Sequence, residues 1–502
     1  MTATKDSGPE TGRARQRTPG IAPGVEGLRR VVGLRRVVGL RRVVGLRRVV
    51  GLRRAAGSPA ALAALLGAGA FAVYMVYSSL QWTSFAIRSW DLGIFTQLAQ
   101  DYAHFQAPIV SIKGQGFNLL GDHFHPILVL LGPVYRLFPS AFTLLVVQNL
   151  LFAVSVAVVA RLALKRLGRV PGSCLGFAYA LSWGLQSAVD AQFHEIAFAV
   201  PLLALSLCAL LEEKWRQAWI WAALLVFVKE DMGLTVLVLG LVMAHRGRRP
   251  AGLWLAAWGV AWFVLSTRLI LPAFNHGSAW AYQGQLDIDG FLRDPASLFQ
   301  KDKVATVLLL AAVTAGLALF SPLVLLVLPT LAWRFLGELP FYWGQEWQYS
   351  AVLMPMVFCA AIDALSRRRV LHSARLRLLS GVAMALLAVA LGGHFAFGRF
   401  ANPAQGFPTA GNAAARSALA AVPAGVTVET DISLMSYLVD RDQVYWIGNR
   451  NPAPDYVLLD VSGHPGDADD STALQAESRF PGSRYVTVHA DGHFQVARRV
   501  AG

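Results

Sequence analysis

The stretch VFVKEDMGLTVL, residues 226–237, places three consecutive charged residues between two apolar runs. These runs, 217–228 and 232–244, hold only about a dozen residues each, whereas a helix needs roughly 17 residues to cross a bilayer. Charged groups below the membrane surface are tolerated against protein or a water-filled cavity, where they indicate a functional site. The alternative interpretation is a self-neutralising turn in a loop between two spans.

The rest of the chain has the composition of a membrane protein. Of its 502 residues 55% are hydrophobic and 15% are charged, whereas soluble proteins carry about 25% charged residues. Eleven apolar runs are interpreted as membrane spans: 60–80, 139–160, 171–188, 196–211, 217–228, 232–244, 251–271, 304–320, 322–336, 350–365 and 378–397. This pattern predicts an α-helical polytopic membrane domain over residues 59–398, with a long first loop at 81–138. Cys174, Cys208 and Cys359 lie in apolar runs, so we expect free thiols.

The basic residues between the runs predict the orientation of the chain. Arg and Lys cluster at 161–169, 214–216, 245–249 and 366–377, and such clusters normally lie in the cytoplasm. The N-terminus is then cytoplasmic and the C-terminus lies outside. The same threading places the 81–138 loop and the Lys229-Glu230-Asp231 turn on the outer side.

The N-terminal tail, residues 1–58, is basic and of low complexity. A GLRRVV hexapeptide repeats over residues 27–54, and its ten arginines make up most of the formal net charge of +15. We expect a cytoplasmic tail that touches anionic headgroups. Because no aromatic residues interleave with the arginines for base stacking, we do not expect nucleic acid as a partner.

The character of the chain changes after about residue 402. ANPAQGFPTAGN, residues 401–412, is interpreted as a linker. VTVETD, QVYWIG, DYVLLDVSG and RYVTVHADGHFQVARRV predict strands, SLMSYLVD predicts a short helix, and Asp491-Gly492 predicts a hairpin turn. DYVLLD is expected to be a buried strand. Residues 402–502 therefore form a small α/β domain that we expect outside the membrane.

Two segments of the first loop carry candidate site residues. In SWDLGIFTQLAQDY, residues 89–102, the apolar positions recur at helical spacing, which predicts an amphipathic helix in the outer interface. Asp91 stands at its first turn, either as a helix cap or as a site carboxylate. In NLLGDHFHPIL, residues 118–128, Asp122 is followed by His123 and His125, a set that could bind a divalent metal ion or simply form a polar turn.

Further candidates lie between the later runs. His194 and Glu195 could supply acid–base or phosphate contacts, with loop solvation as the alternative. Lys229 suits a phosphate as a point charge, and Glu230 and Asp231 would limit its net charge. The aromatic segment at 337–350 includes Trp343 and Tyr349, among residues that suit either an interfacial belt or a sugar face. Since all these groups fall on one predicted side, we expect an outward-facing cavity.

The motifs WDLGIFTQL, DHFHPIL, QFHEIAFAVPLL, VKED and WQYSAVLMP together resemble the bacterial membrane-protein family called domain of unknown function 2079. The resemblance covers about residues 85–365 in ordered blocks, and the C-terminal domain is similar to a tail that many members carry. The GLRRVV tail departs from the family pattern. The family is grouped with the GT-C superfamily of polytopic glycosyltransferases, which implies many spans and a long first outer loop with interfacial helices.

This resemblance implies a glycosyltransferase that uses a sugar carried on polyprenyl phosphate. It implies that Asp91 takes the position of the loop carboxylate that acts as base or metal ligand, and that Lys229 contacts the lipid phosphate. Asp91 is followed by Leu92, so the DxD or DD pair of many such enzymes is missing, and Asp122 would complete the acidic set.

The first hypothesis is a transferase on the outer face of the bacterial plasma membrane that acts on a cell-envelope acceptor. Asp91, Asp122, Glu230 and Asp231 are its catalytic candidates. Substrate contacts are expected from Lys229, His194, Glu195, Trp343 and Tyr349, and metal contacts from His123 and His125. The C-terminal domain would bind the acceptor or cap the cavity.

The second hypothesis is a non-catalytic transporter or lipid-binding membrane protein, in which the charged turn binds substrate or a proton near the midplane. The chain shows no internal repeat beyond the hexapeptide, which favours the transferase.

Overall fold

The computed structural model describes residues 58–275, 277–280, 282–367, 373–462 and 471–501. The predictions for the GLRRVV tail lie outside these residues. Helices dominate the described chain up to Ala420, and five strands with two short helices follow. The helices are α1 (Pro59–Thr83), α2 (Asp91–Ala103), α3 (Leu131–Leu137), α4 (Ala141–Leu167), α5 (Arg169–Ala180), α6 (Trp183–Asp190), α7 (Ala199–Leu211), α8 (Trp215–Ala223), α9 (Met232–His245), α10 (Arg249–Leu265), α11 (Leu271–Phe274), α12 (Ile288–Arg293), α13 (Lys301–Ala312), α14 (Leu328–Leu336), α15 (Leu353–Arg367), α16 (Ala374–Gly392), α17 (Pro403–Gly406), α18 (Asn412–Ala420), α19 (Ile432–Leu438) and α20 (Ser471–Arg479).

Five helical segments of the described chain are long and apolar enough to cross a membrane. They are Pro59–Thr83, Ala141–Leu167, Arg249–Phe274, Gln348–Arg367 and Ala374–Gly392. Four shorter apolar segments accompany them: Pro126–Leu137, Glu195–Leu211, Met232–His245 and Pro322–Leu336. The structure thus agrees with a multi-pass helical protein, while the number of eleven spans stays a prediction.

The short apolar runs are short because the helices end inside the protein. α8 ends at Ala223 and passes through a 3₁₀ turn, Leu224–Phe227, before the charged turn, and α9 starts at Met232. Ser321 is extended and caps a second 3₁₀ segment, Pro322–Val327, through a hydrogen bond from the Leu323 amide. The interruption expected at the charged turn is therefore present, and Ser321 marks a second one. At both places backbone groups are not paired within a continuous helix.

Glycines hold α9 and α10 together as an antiparallel pair. A Cβ on Gly252 would lie 2.4 Å from the Ala244 nitrogen, and one on Gly259 would lie 2.4 Å from the Gly233 oxygen. Only residues without a side chain allow backbones to approach this closely, as in small-residue packing between membrane helices. This packing fixes the direction in which α9 leaves the charged turn.

The C-terminal strands form a mixed sheet. The strands are β1 (Thr427–Thr430), β2 (Gln443–Trp446), β3 (Tyr456–Asp460), β4 (Arg484–Ala490) and β5 (Phe494–Val500). The sheet order is β2-β1-β3-β5-β4, with β1 parallel to both β2 and β3 and with β5 antiparallel to β3 and β4. All predicted strands, the short helix and the β4–β5 hairpin are confirmed, and β3 is buried from Tyr456 to Leu459. The predicted linker is partly helical, since α17 lies within it.

The sheet is hydrogen-bonded to the first loop of the membrane domain. Gln97 on α2 and Ser111 both donate to the Val444 carbonyl on β2, over 3.0 and 2.8 Å. Asn449 donates to the Ile112 carbonyl over 2.8 Å. These contacts correct one prediction: α2 is a helix as expected, but it is buried on nearly all sides rather than lying with one face in the interface. The sheet covers the polar side that the sequence pattern assigns to water.

Candidate active site

A cavity of about 550 Å³ lies between the start of α2, the charged turn, the aromatic segment before α15 and the sheet. Trp446 of β2 and Ile432 of α19 form its wall on the sheet side. Ten of the eleven predicted site residues line it: Asp91, Asp122, His123, His125, His194, Glu195, Lys229, Glu230, Asp231 and Tyr349. These residues come from five separate segments of the sequence, and the fold brings them to one place.

Asp91 is paired with His194. The Asp91 Oδ2 atom lies 3.5 Å from His194 Nε2, and the other ring nitrogen lies 3.1 Å from the Gln192 carbonyl. Burial opposes the charge, but His194 outweighs it and lowers the pKa of Asp91 to about 2. The helix-cap alternative is wrong, because Trp90 is the cap residue of α2 and the Asp91 side chain caps nothing. Asp91 is therefore an ionised carboxylate at the cavity wall.

Glu230 and His123 form a second acid–histidine pair. His123 Nδ1 lies 2.8 Å from Glu230 Oε1, and the Phe124 amide donates to Glu230 Oε2 over 3.0 Å. The ring of His123 stacks on Tyr282 with 4.4 Å between centroids. With both carboxylate oxygens occupied by protein groups, Glu230 is suited to orient His123 rather than to meet a substrate.

The rest of the charged turn faces the same cavity. Lys229 Nζ donates to Glu195 Oε1 over 2.9 Å. Burial raises the pKa of Asp231 to about 6, although Lys229 opposes this rise. Asp231 Oδ1 is buried and has no hydrogen-bond partner within the described residues. In this turn the lysine is paired with Glu195, and the Asp231 carboxyl has an oxygen without a partner among the residues that the structure describes. A self-neutralising loop would instead pair Lys229 with the acids of its own turn.

Two cations on the cavity wall are not among the residues predicted from the sequence. Lys113 lies 3.1 Å from Asp122 Oδ2 and 5.1 Å from the centre of the Trp90 ring. Arg88 contacts the Asp190 carboxylate and lies 5.2 Å over the Trp347 ring. Asp122, predicted as catalytic, is thus the partner of a lysine.

Asp190 connects the cavity wall to distant parts of the chain. Its side chain accepts hydrogen bonds from Tyr77 over 2.6 Å and from Arg399 over 2.9 Å, in addition to Arg88. Two guanidinium groups share one carboxylate, so this cluster carries a net positive charge. The signal in the sequence was weak, because the partners are separated by 102 to 209 positions.

His125 has a different environment from His123. It is buried, packs edge-on against Phe95 at 6.0 Å, and its Nδ1 has no partner in the described part of the chain. Burial lowers the pKa of His125 to about 4, so the ring is neutral at pH 7. Within the described ranges, no three His, Cys, Asp or Glu side chains are arranged to hold a metal ion. The residues therefore do not fit the metal site expected at His123 and His125.

The two predicted aromatic contacts separate in the structure. Tyr349 lines the cavity and lies edge-on to Tyr342, with 5.4 Å between ring centroids. Trp343 turns away from the cavity: its Nε1 donates to the Gly337 carbonyl over 2.8 Å, and Lys303 lies 4.3 Å over its ring. The prediction that Trp343 contacts substrate is not supported by this placement, since the indole is used to hold its own loop.

The charges on the wall nearly balance. The lining residues include three cations (Arg88, Lys113 and Lys229), five carboxylates (Asp91, Asp122, Glu195, Glu230 and Asp231) and three histidines. Burial opposes the positive charge of His194 and His123, but their carboxylate partners raise the pKa of each above its usual value. With these two rings protonated, the cationic and anionic groups are equal in number. An anionic ligand is then not repelled by the wall as a whole.

Comparison with known proteins agrees with this architecture. The family model described as "Predicted membrane protein (DUF2079)" matches residues 81–492. No curated protein matches the chain. Among solved structures, the chain is similar to the crystal structure of ArnT from Cupriavidus metallidurans bound to undecaprenyl phosphate, with a TM-score of 0.53 and 13% sequence identity. The similarity covers 87% of this chain and 98% of that one. It confirms the resemblance to the GT-C fold that the sequence motifs predicted.

Proposed function

Because the chain belongs to the DUF2079 family of predicted membrane proteins, and shares its fold with a protein that binds undecaprenyl phosphate, we propose that it is a glycosyltransferase. Its donor is a hexose or pentose carried on polyprenyl phosphate, and its acceptor is a cell-envelope hydroxyl compound. The reaction takes place on the outer face of the bacterial plasma membrane. The N-terminus is then cytoplasmic and the sheet lies outside.

The environment of Asp91 is the observation that carries this proposal. Its side chain is 30% exposed, against 14% for Asp122, 5% for Glu195 and 2% for Glu230. Asp91 is thus the most accessible carboxylate among the ion pairs of the wall. A general base must reach the proton that it removes before its pKa matters, and Asp91 meets that condition best.

The proposed reaction is a single displacement. The acceptor oxygen forms a bond to the anomeric carbon, and its proton passes to Asp91. The bond between the anomeric carbon and the phosphate oxygen breaks, and its electron pair leaves with the lipid phosphate. His194 holds the carboxylate in place through the 3.5 Å contact. The anomeric configuration is inverted.

The departing phosphate needs positive charge that is fixed before the reaction. Lys229, Lys113 and Arg88 are the cations on the wall. Lys229 is paired with Glu195, and the negative charges of Glu230 and Asp231 further offset its positive charge, whereas Lys113 has one carboxylate partner. Arg88 shares its carboxylate with Arg399. We therefore assign the phosphate to Lys113 and Arg88 together with Lys229, rather than to Lys229 alone.

Native mass spectrometry of the full chain in mild detergent, with undecaprenyl phosphate added, tests the lipid site. We expect a bound lipid adduct that is lost in Lys113→Ala and weakened in Lys229→Ala. The control is Lys303→Ala, since Lys303 lies against Trp343 and off the cavity wall. Failure of the wild-type protein to bind the lipid phosphate would refute the donor class.

The catalytic assignment is tested separately. Asp91→Asn should keep lipid binding and lower sugar transfer by about 10²- to 10⁴-fold, as expected for loss of a general base. Unchanged transfer in this variant would remove Asp91 from the mechanism. Uptake of a substrate into proteoliposomes without any glycosylated product would instead support the transporter hypothesis.

A further inference from the structure

The sheet presents the carboxyl ends of its parallel strands to the cavity. β2 ends at Trp446. β1 is followed by Asp431, which caps helix α19, and then by Ile432, the first residue of that helix. Both Ile432 and Trp446 line the cavity. Because ligands of open α/β sheets bind outside the carboxyl ends of the strands, this edge is the part of the sheet best suited to touch a substrate.

Gly448 fixes the position of the Trp446 indole. A Cβ on Gly448 would lie 2.2 Å from ring atoms of Trp446, so only glycine allows the ring to lie against the backbone here. Trp90 packs against the same indole with 4.5 Å between ring centroids and 64° between planes. The indole is thus held from two directions by groups of the protein, which costs a ligand little ordering entropy on binding.

The indole lies close to the proposed base. Trp90 directly precedes Asp91, and Lys113 lies 5.1 Å from the centre of the Trp90 ring. Asn449, one residue after Gly448, donates to the Ile112 carbonyl next to Lys113. Trp90, Asp91 and Trp446 all line the same cavity, so a ring bound against the two indoles would share that cavity with the Asp91 carboxylate.

The position of Trp446 favours a polar ligand over a lipid chain. Trp446 belongs to a sheet whose opposite edge strand, β4, alternates exposed residues with buried or half-buried ones, as in a water-facing strand. Indole rings offer a flat apolar face, and the nearby charged groups supply hydrogen bonds. This combination suits the C–H face and the hydroxyl groups of a sugar ring.

We propose that Trp446, held by Gly448 and Trp90, forms an acceptor subsite that takes a carbohydrate ring. The subsite rests on the proposed function, because it assigns the acceptor of that reaction. It makes the sheet a contributor to the active site.

The test is glycoside binding to the purified full-length protein, followed by tryptophan fluorescence. The probes are the methyl glycosides of common hexoses and pentoses. We expect saturable binding of at least one of them, weakened about tenfold in Trp446→Ala. Trp254→Ala is the matched control, since Trp254 is 74% exposed on α10, and it should bind as the wild type does. Binding of no glycoside by the wild type, or equal binding by Trp446→Ala, would overturn the subsite.

Gly448→Ala keeps the Trp446 indole but displaces it. This variant therefore tests the position of the indole separately from its presence. We expect it to weaken glycoside binding at least about threefold, with an unchanged thermal midpoint as the check on folding. Wild-type affinity in a folded Gly448→Ala protein would contradict the proposal even if Trp446→Ala failed to fold. Undecaprenyl phosphate binding in the same samples reports on the donor site alone. A wild-type protein that binds a glycoside but not undecaprenyl phosphate would refute the proposed function and retain only the carbohydrate site.

Discussion

The carboxylate of Glu230 holds the imidazole of His123 by its Nδ1 atom, at a distance of 2.8 Å. An ionised carboxylate only accepts hydrogen bonds, so Nδ1 carries a proton. Nε2 is then the ring atom left for a ligand, since Glu230 occupies the other nitrogen. We therefore expect His123, which the sequence suggested as a metal ligand, to exchange a proton or to donate to an anion.

We expect Glu230→Gln to make His123 easier to deprotonate. Burial and Lys229 lower the pKa of His123, and the Glu230 carboxylate raises it above the usual value. The neutral amide of the variant no longer raises the pKa of His123. The pKa therefore falls, and a larger fraction of the protein carries a neutral His123 at pH 7. Diethyl pyrocarbonate reacts with neutral imidazole, and peptide mass spectrometry should show faster modification of His123 in this variant. His489, next to Asp491 in the sheet, is the internal control. An unchanged rate at His123 would show that Glu230 does not control its protonation.

Replacing Asp231 by Asn should stabilise the protein most at alkaline pH. Burial raises the pKa of Asp231 from 3.8 to about 6, so the folded state binds a proton more tightly than the unfolded chain. The energetic cost of the buried charge is complete above about pH 6, shrinks as the pH falls from 6 towards 3.8, and is absent below that. The thermal midpoint of Asp231→Asn should exceed that of the wild type more at pH 8 than at pH 5. A difference independent of pH would assign the effect to packing.

Asp190→Asn should be destabilising. The substitution leaves Arg88 and Arg399 close together without the carboxylate that they share. Asp190 is buried but both guanidinium groups are partly exposed, so we expect a loss between about 1 kcal/mol, the limit for exposed pairs, and about 3 kcal/mol, the value for fully buried pairs. Glu212→Gln is the matched control, because Glu212 pairs with two exposed lysines, Lys165 and Lys214. Exposed pairs contribute about 1 kcal/mol or less. Unfolding followed by denaturant titration should separate the two variants clearly, and equal losses would mean that the Asp190 cluster is not structural.

Gly252→Ala should disrupt the contact between α9 and α10. The new Cβ would lie 2.4 Å from a backbone nitrogen, and forced overpacking of this kind costs roughly 1–3 kcal/mol. Gly69→Ala provides the comparison, since a Cβ at Gly69 meets nothing within 4 Å and alanine favours the helix. The thermal midpoint should fall for Gly252→Ala and stay equal or rise for Gly69→Ala. A tolerated Gly252→Ala would imply that the helices can move apart.

The location of the cavity could be predicted from the sequence because its charges interrupt apolar runs. Lys229, Glu230 and Asp231 are conspicuous between two short hydrophobic segments. Asp91 stands in the first turn of the helix that the sequence predicts in the first loop. The strands after residue 426 were equally visible, since alternation and turn residues are local signals. What these signals share is that each is contained within about a dozen residues.

The partners of those groups could not be predicted, because pairing is decided by the fold. In the sequence, Arg88 has no feature that distinguishes it from other loop arginines. Only the fold places it beside Asp190 and Arg399. Trp343 and Tyr349 stand in one aromatic segment, yet the backbone turns one indole towards Gly337 and leaves one phenol at the cavity. The burial of α2 was misjudged for the same reason, since its polar residue Gln97 bonds to a strand 347 positions away.

That separation has a consequence for biosynthesis. The helix that carries Asp91 and Gln97 is synthesised before β2, and Val444, which accepts the Gln97 hydrogen bond, follows Gln97 by 347 positions. Nascent chains and truncated products that stop before β2 lack both the Val444 carbonyl and Trp446. On the proposed function, such polypeptides would contain Asp91 but lack the acceptor subsite, so we expect sugar transfer only from chains that include the C-terminal strands.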